Sequence, residues 1–99
     1  MRKFMSLPEE YSSEKSEFVI LPIKYEKDVT YGKGASLGPD AIIKASQHLE
    51  YYDEQFDIEG FEKGIRLLEP LELNDLKPKE MVETIFTTKC NYKDKFVII

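Results

Sequence analysis

The 99-residue sequence contains one cysteine (Cys90), one histidine (His48) and no tryptophan. A lone cysteine excludes an internal disulfide framework and fits a reducing compartment. A lone histidine leaves little for a transition-metal site, which needs several converging N, O or S ligands. His48 has Lys44 and Tyr52 four positions to either side, so it reads as a surface or boundary residue of a helix. No apolar run approaches the roughly 18 residues of a membrane helix. The amino-terminal stretch opens with Arg2 and Lys3, but Pro8, Glu9 and Glu10 interrupt any signal-peptide core. Basic charge is also short: 14 Lys and Arg stand against 19 Asp and Glu, a net charge of −5. That balance argues against a nucleic-acid partner, which calls for concentrated positive charge. The expectation is a cytoplasmic protein with no nucleic-acid and no membrane partner.

The composition that remains, 41% apolar and 33% charged, is globular. One small domain is the upper limit at this length. The reading divides the chain into an amino-terminal arm over residues 1–16 and a partial α/β domain over residues 17–99. In the arm, Phe4, Met5, Leu7 and Tyr11 are candidate anchors, although a polar chain end ordinarily lies on the surface.

Phe18-Val19-Ile20-Leu21 is an unbroken apolar run of the kind found in strands covered on both faces. It predicts a strand ending at Pro22 or Ile23, because proline cannot donate to a ladder. A loop over residues 24–37 follows, long for a strand-to-helix connection. Gly38-Pro39-Asp40 then opens a helix expected to reach about Asp53, with Ile42, Ala45, Leu49 and Tyr52 as its buried stripe and Lys44, Gln47 and Glu50 facing water or the stripe's border. Residues 56–63 form a connector that turns at Gly60. A second strand spans residues 64–69, halted by Pro70 and placed nearer an edge by its imperfect alternation. Residues 71–77 connect to a helix opened by Pro78, with Met81, Val82, Ile85, Phe86 and the stem of Lys89 inward. Asn91 and Lys93 mark its end. Lys95-Phe96-Val97-Ile98-Ile99 is a third strand. The whole is a parallel βαβαβ unit, and its finish on uncapped apolar residues suggests a cut chain.

Gly32, Gly34 and Gly38 do not make a dinucleotide fingerprint, since some eight residues separate the strand from the first glycine. A conformational role, with positive φ and close backbone approach, is expected instead. Cys90 has no histidine nearby in sequence and reads as a plain helix-end cysteine. Glu50, Asp53, Glu54, Asp57 and Glu59 lack the order of a calcium loop and read as a solvated helix end.

Leu21-Pro22-Ile23-Lys24-Tyr25-Glu26, Tyr31-Gly32-Lys33-Gly34-Ala35 and Gly38-Pro39-Asp40-Ala41-Ile42-Ile43 together resemble the opening of the ureohydrolase family. Ala45-Ser46 and Tyr52-Asp53 extend the likeness, which is greatest to the agmatinase branch of this arginase and agmatinase group. The resemblance implies the amino-terminal part of a three-layer α/β/α fold, truncated. It further implies a cytoplasmic hydrolase of polyamine biosynthesis that converts agmatine to putrescine and urea. In the intact family two manganese ions supply the attacking hydroxide, the substrate is a small guanidino compound and the enzyme is a homo-oligomer. The family's ligand segments (Gly-Gly-x-His, Asp-x-His-x-Asp and Asp-x-Asp) are not present in the 99 residues. No catalytic, substrate-binding or metal residue is therefore assigned, and no manganese is expected on this chain alone. Leu37 stands where many relatives carry arginine or another polar residue. The alternative is a non-catalytic interaction module that pairs with a partner through its exposed sheet edge.

Overall fold

The computed structural model describes residues 2–26, 34–49 and 60–99. The expectations placed on Tyr31, Gly32, Lys33, on Tyr52 and position 56, and on the acidic residues from Glu50 to position 59 lie outside the described residues. Strand β1 is Phe18–Ile20, β2 is Ile23–Lys24, β3 is Ile65–Leu67, β4 is Leu71–Glu72 and β5 is Phe96–Ile98. The α-helices are α1, Gly38–Ser46, and α2, Pro78–Cys90.

β1 lies between β3 and β5, and all three run parallel. The parallel α/β architecture expected from the sequence is thus present, with the second predicted strand at an edge of the described sheet. The register aligns Phe18 with Ile65 and Phe96, and Ile20 with Leu67 and Ile98. Because side chains alternate along a strand, these six residues share one face. The Phe18 and Phe96 rings meet there, 5.5 Å between centroids. Val19, Arg66 and Val97 share the other face, and Val19 is buried. Coverage of β1 on both faces is only partly realised, since Phe18 and Ile20 remain half-exposed.

The first strand is shorter than predicted and resumes after a break. Between β1 and β2 lie Leu21 and Pro22; between β3 and β4 lie Leu68, Glu69 and Pro70. The ladder therefore restarts one residue out of phase, as at a bulge, with Ile23 opposite Leu71. Two prolines without N–H groups explain the interruption. The stretch read as a plain connector over residues 71–77 thus contains a short strand.

Helix α1 buries Ile43 and Ser46, whereas Ile42, Ala45 and Leu49 are exposed. The predicted stripe is rotated because its cover is the amino-terminal segment, which binds through polar groups. The Met5 N–H donates to Ser46 Oγ at 2.9 Å, and that hydroxyl donates to the Ile43 carbonyl at 2.5 Å. Gln47 Nε2 donates to the Lys3 carbonyl at 3.2 Å. A serine at the centre of a buried face is invisible to a search for apolar periodicity. The helix ends at Ser46, well before Asp53, through short bonds from the N–H groups of Gln47, His48 and Leu49 to carbonyls three residues back.

Helix α2 has the predicted start and end, and the Lys77 N–H donates to Glu80 Oε1 at 3.3 Å. It buries no residue fully. Met81 and Ile85 are half-covered as expected, together with Thr84 and Thr88, but Val82, Phe86 and Lys89 are exposed. The two threonines bond the carbonyls of Glu80 and Thr84, four residues back, which makes a polar row tolerable on the covered side.

Among the described residues the apolar core consists of Leu7, Val19, Leu21, Ile43, Leu67 and Leu73. Leu7, one of the candidate anchors, thus carries the amino-terminal segment into the core rather than leaving it on the surface. Tyr11 meets Phe61 edge-on at 5.1 Å. Ser16 is buried, donating to the Tyr11 carbonyl and accepting from the Ser13 N–H. Gly64 sits against it with φ +86°, and a Cβ there would lie 2.6–2.8 Å from Ser16 atoms.

Two predictions follow from this packing. Gly64→Ala combines backbone strain with a clash and is expected to destabilise by roughly 2 kcal/mol or more. Thermal unfolding followed by circular dichroism would show a midpoint about 8 °C lower or worse; an unchanged midpoint would overturn the assignment. The exposed Ile42, Phe86, Phe96, Ile98 and Ile99 lead to self-association of the purified chain. Light scattering should therefore give a mass above that of one chain, rising with concentration, whereas a constant single-chain mass would contradict this.

Candidate functional site

In parallel α/β sheets ligands gather beyond the carboxyl ends of the strands. Here β1, β3 and β5 end at Ile20, Leu67 and Ile98, and the residues past those ends form a rim. Its organising segment is Lys24-Tyr25-Glu26, whose residues tie the approach to α1 and the segment around and after β4. Lys24 Nζ lies 2.9 Å from Asp40 Oδ2 in the first turn of α1 and 3.8 Å from Glu72 in β4. The Tyr25 hydroxyl donates to the Leu76 carbonyl at 3.1 Å. The Glu26 N–H donates to Asn74 Oδ1 at 2.7 Å. The Glu26 carboxylate accepts from the Gly34 N–H and, at 2.6 Å, from the Ala35 N–H.

Asp40 also accepts from Arg2 at 2.8 Å. Hydrogen bonding from Lys24 first, and from Arg2 second, holds its carboxyl below the usual carboxylate range. The carboxylate further suits the positive end of α1. Gly34 has φ +127°, the left-handed region that favours glycine, whereas Gly38 takes ordinary helical angles. The conformational role expected of these glycines therefore holds at Gly34 and not at Gly38.

Beside the rim a groove of about 770 Å³ runs along the sheet face, lined among others by Phe4, Phe18, Ile20, Ile42, Ile65 and Ile98. Such walls offer apolar contact and no acid, base or nucleophile. A second cleft of about 670 Å³ has charged and polar residues, Arg2, Lys3, Asp40, Lys44 and Gln47, among its walls. Lys3 is paired with Glu9 at 2.7 Å, which lowers the Glu9 carboxyl. His48 is exposed just past α1, Cys90 is half-covered at the end of α2, and Leu37 is exposed at the rim. The structure does not bring these three together. Among the described residues no three His, Cys, Asp or Glu side chains converge on a point that could hold a metal ion. The described residues therefore do not fit a two-manganese centre. The sequence placed Tyr25 and Glu26 only in a family-like motif and Asn74 only at a turn of the 71–77 connector, whereas their partners lie 8 to 51 positions away.

The sequence model of the arginase family matches residues 16–96, which is most of the chain and takes in β1 to β4, both α-helices and the first residue of β5. The chain belongs to the arginase family. It is 31% identical over 103 aligned residues to the N(1)-aminopropylagmatine ureohydrolase of Synechocystis sp., an alignment covering 96% of this chain and 34% of that protein. It is 34% identical over 58 residues to the N(1)-aminopropylagmatine ureohydrolase of Thermus thermophilus, covering 59% of this chain and 20% of that protein. The chain thus spans about a third of the length of the former relative and a fifth of the latter. No solved structure gives a significant match. Within this arginase-family chain the rim coincides with the segments whose motifs resemble the family.

Asp40 yields a prediction with a definite sign. A carboxyl lowered on folding stabilises the fold above its unfolded pKa, about 3.9, and this contribution is lost as pH falls toward the folded value. Asp40→Asn should therefore lower the melting temperature by a constant amount from pH 7 to about pH 5, and the difference from wild type should shrink below about pH 4. A deficit that persists unchanged at low pH would show that the Lys24 and Arg2 contacts are not its source.

Proposed function

We propose that this chain is part of a ureohydrolase that removes urea from the guanidino group of an agmatine-class amine, and that these 99 residues supply scaffold and rim rather than the hydrolytic centre. The carrying observation is the near-complete alignment of the chain with a relative named N(1)-aminopropylagmatine ureohydrolase. The substrate is proposed to be agmatine or its aminopropyl derivative, the former from the family resemblance and the latter from the relatives' name. The net charge of −5 suits a cationic amine. Two manganese ions, putrescine-type amine products, a cytoplasmic location and homo-oligomeric assembly belong to the same proposal and rest on the resemblance. The ligands for the metal are proposed to lie outside the described residues. The reading as a pure interaction module finds no support in the relatives compared, each of which bears an enzyme's name.

A chimera tests this reading: the matching third of the Synechocystis enzyme is replaced by these 99 residues and urea is assayed with agmatine and N(1)-aminopropylagmatine. Manganese-dependent urea release is expected from at least one of them, and none from the 99-residue chain by itself. A folded, metal-loaded chimera that releases no urea from either amine would overturn the substrate class. Turnover by the 99-residue chain alone would overturn the division of labour.

A further inference from the structure

We propose that Glu26 is a positioning residue: its carboxylate clasps the start of the α1 approach to the exits of β2 and β4, and thereby sets the rim. Three segments distant in sequence meet at this one residue. Its backbone N–H is held by Asn74, which follows β4. Its carboxylate oxygen Oε1 receives the N–H groups of Gly34 and Ala35, eight and nine positions on. From Gly34 the chain passes through the turn Ala35–Leu37 directly into α1, with the Leu37 N–H bonded back to the Gly34 carbonyl at 2.9 Å.

The local backbone is shaped for this carboxylate. With φ +127° at Gly34, two successive N–H groups converge on one oxygen, a small anion-binding concavity. A charged acceptor makes both bonds stronger than neutral ones. The bonds of Lys24 and Tyr25 go to Asp40, Glu72 and Leu76, so neither neighbour duplicates the contact. The clasp is a property of this chain's geometry and stands whether or not the ureohydrolase reading does.

Amide hydrogen exchange by NMR on the whole chain tests it, comparing wild type with Glu26→Ala, Glu26→Gln and Tyr25→Phe. In Glu26→Ala the Gly34 and Ala35 amides should exchange at least about tenfold faster, the loss expected for charge-assisted bonds. Glu26→Gln should fall between, because an amide oxygen still accepts both bonds without the charge. The β1 amides of Val19 and Ile20, and Gly34 and Ala35 in Tyr25→Phe, should keep wild-type rates. Unchanged exchange at Gly34 and Ala35 in Glu26→Ala, or in Glu26→Gln should the alanine variant fail to fold, would overturn the proposal. Equal acceleration in Tyr25→Phe would overturn it too, since it would mean general loosening of the rim.

Discussion

Backbone pairing on both edges of β1 is the constraint from which the remaining structure follows. On one side the Phe18 N–H bonds the Gly64 carbonyl and the Ile20 carbonyl receives Leu68. On the other, the Glu17 carbonyl receives Phe96 and the Leu21 N–H bonds Ile98. A strand so placed has no solvated edge, so its own groups must all be met by neighbours brought from more than 40 positions away in sequence. Each bond contributes only about 1 kcal/mol net. The apolar burial of Val19 and Leu21 supplies much of the remaining drive. That is why this stretch is continuous in hydrophobic residues while the edge strand β3 can carry Arg66.

The break after β1 determines the form of the rim. Pro22 and Pro70 interrupt both strands near the same level, and the restarted pair β2 and β4 has only two residues a side. A ladder that short is marginal without support. The support is local and polar: Lys24, Tyr25 and Glu26 bond the start of α1, its approach and the segment after β4, immediately beyond the break. Proline thus ends the main sheet, and the charged residues behind it make up for the lost ladder bonds. The amino-terminal segment is drawn into the same system by the Arg2 and Asp40 pair and by Met5 on Ser46.

The three main strands, both helix starts and the parallel arrangement were legible in the sequence, because apolar runs and proline positions report directly on backbone pairing. The helix faces were not. Ser46 replaces an apolar residue at the centre of the buried face of α1, and Thr84 and Thr88 do the same on the covered side of α2. In each case a hydroxyl bonded to a carbonyl of its own helix lets a polar side chain sit where periodicity calls for a hydrophobe. The rim was legible only as a family-like motif. Tyr25 finds its partner 51 positions away and Glu26 finds Asn74 at 48, separations at which no local pattern carries information.

The same contacts bear on where chemistry can lie in an arginase-family protein of this form. Lys24, Asp40, Arg2 and Glu26 are charged groups beside the carboxyl edge, and each is engaged by a neighbour in this chain. The Asp40 carboxyl, hydrogen-bonded by lysine and arginine, is a poor general base, because its proton affinity is already lowered. A metal ligand must likewise have free lone pairs aimed at one point, and among the described residues no such convergence exists. These side chains hold backbone in place, and the apolar groove beside them offers shape without reactivity. A rigid edge of this kind is what catalytic groups need for support, since their precision is limited by the elements that carry them. Among the described residues, placement starts from the pairing of β1 and reaches the rim through three consecutive side chains.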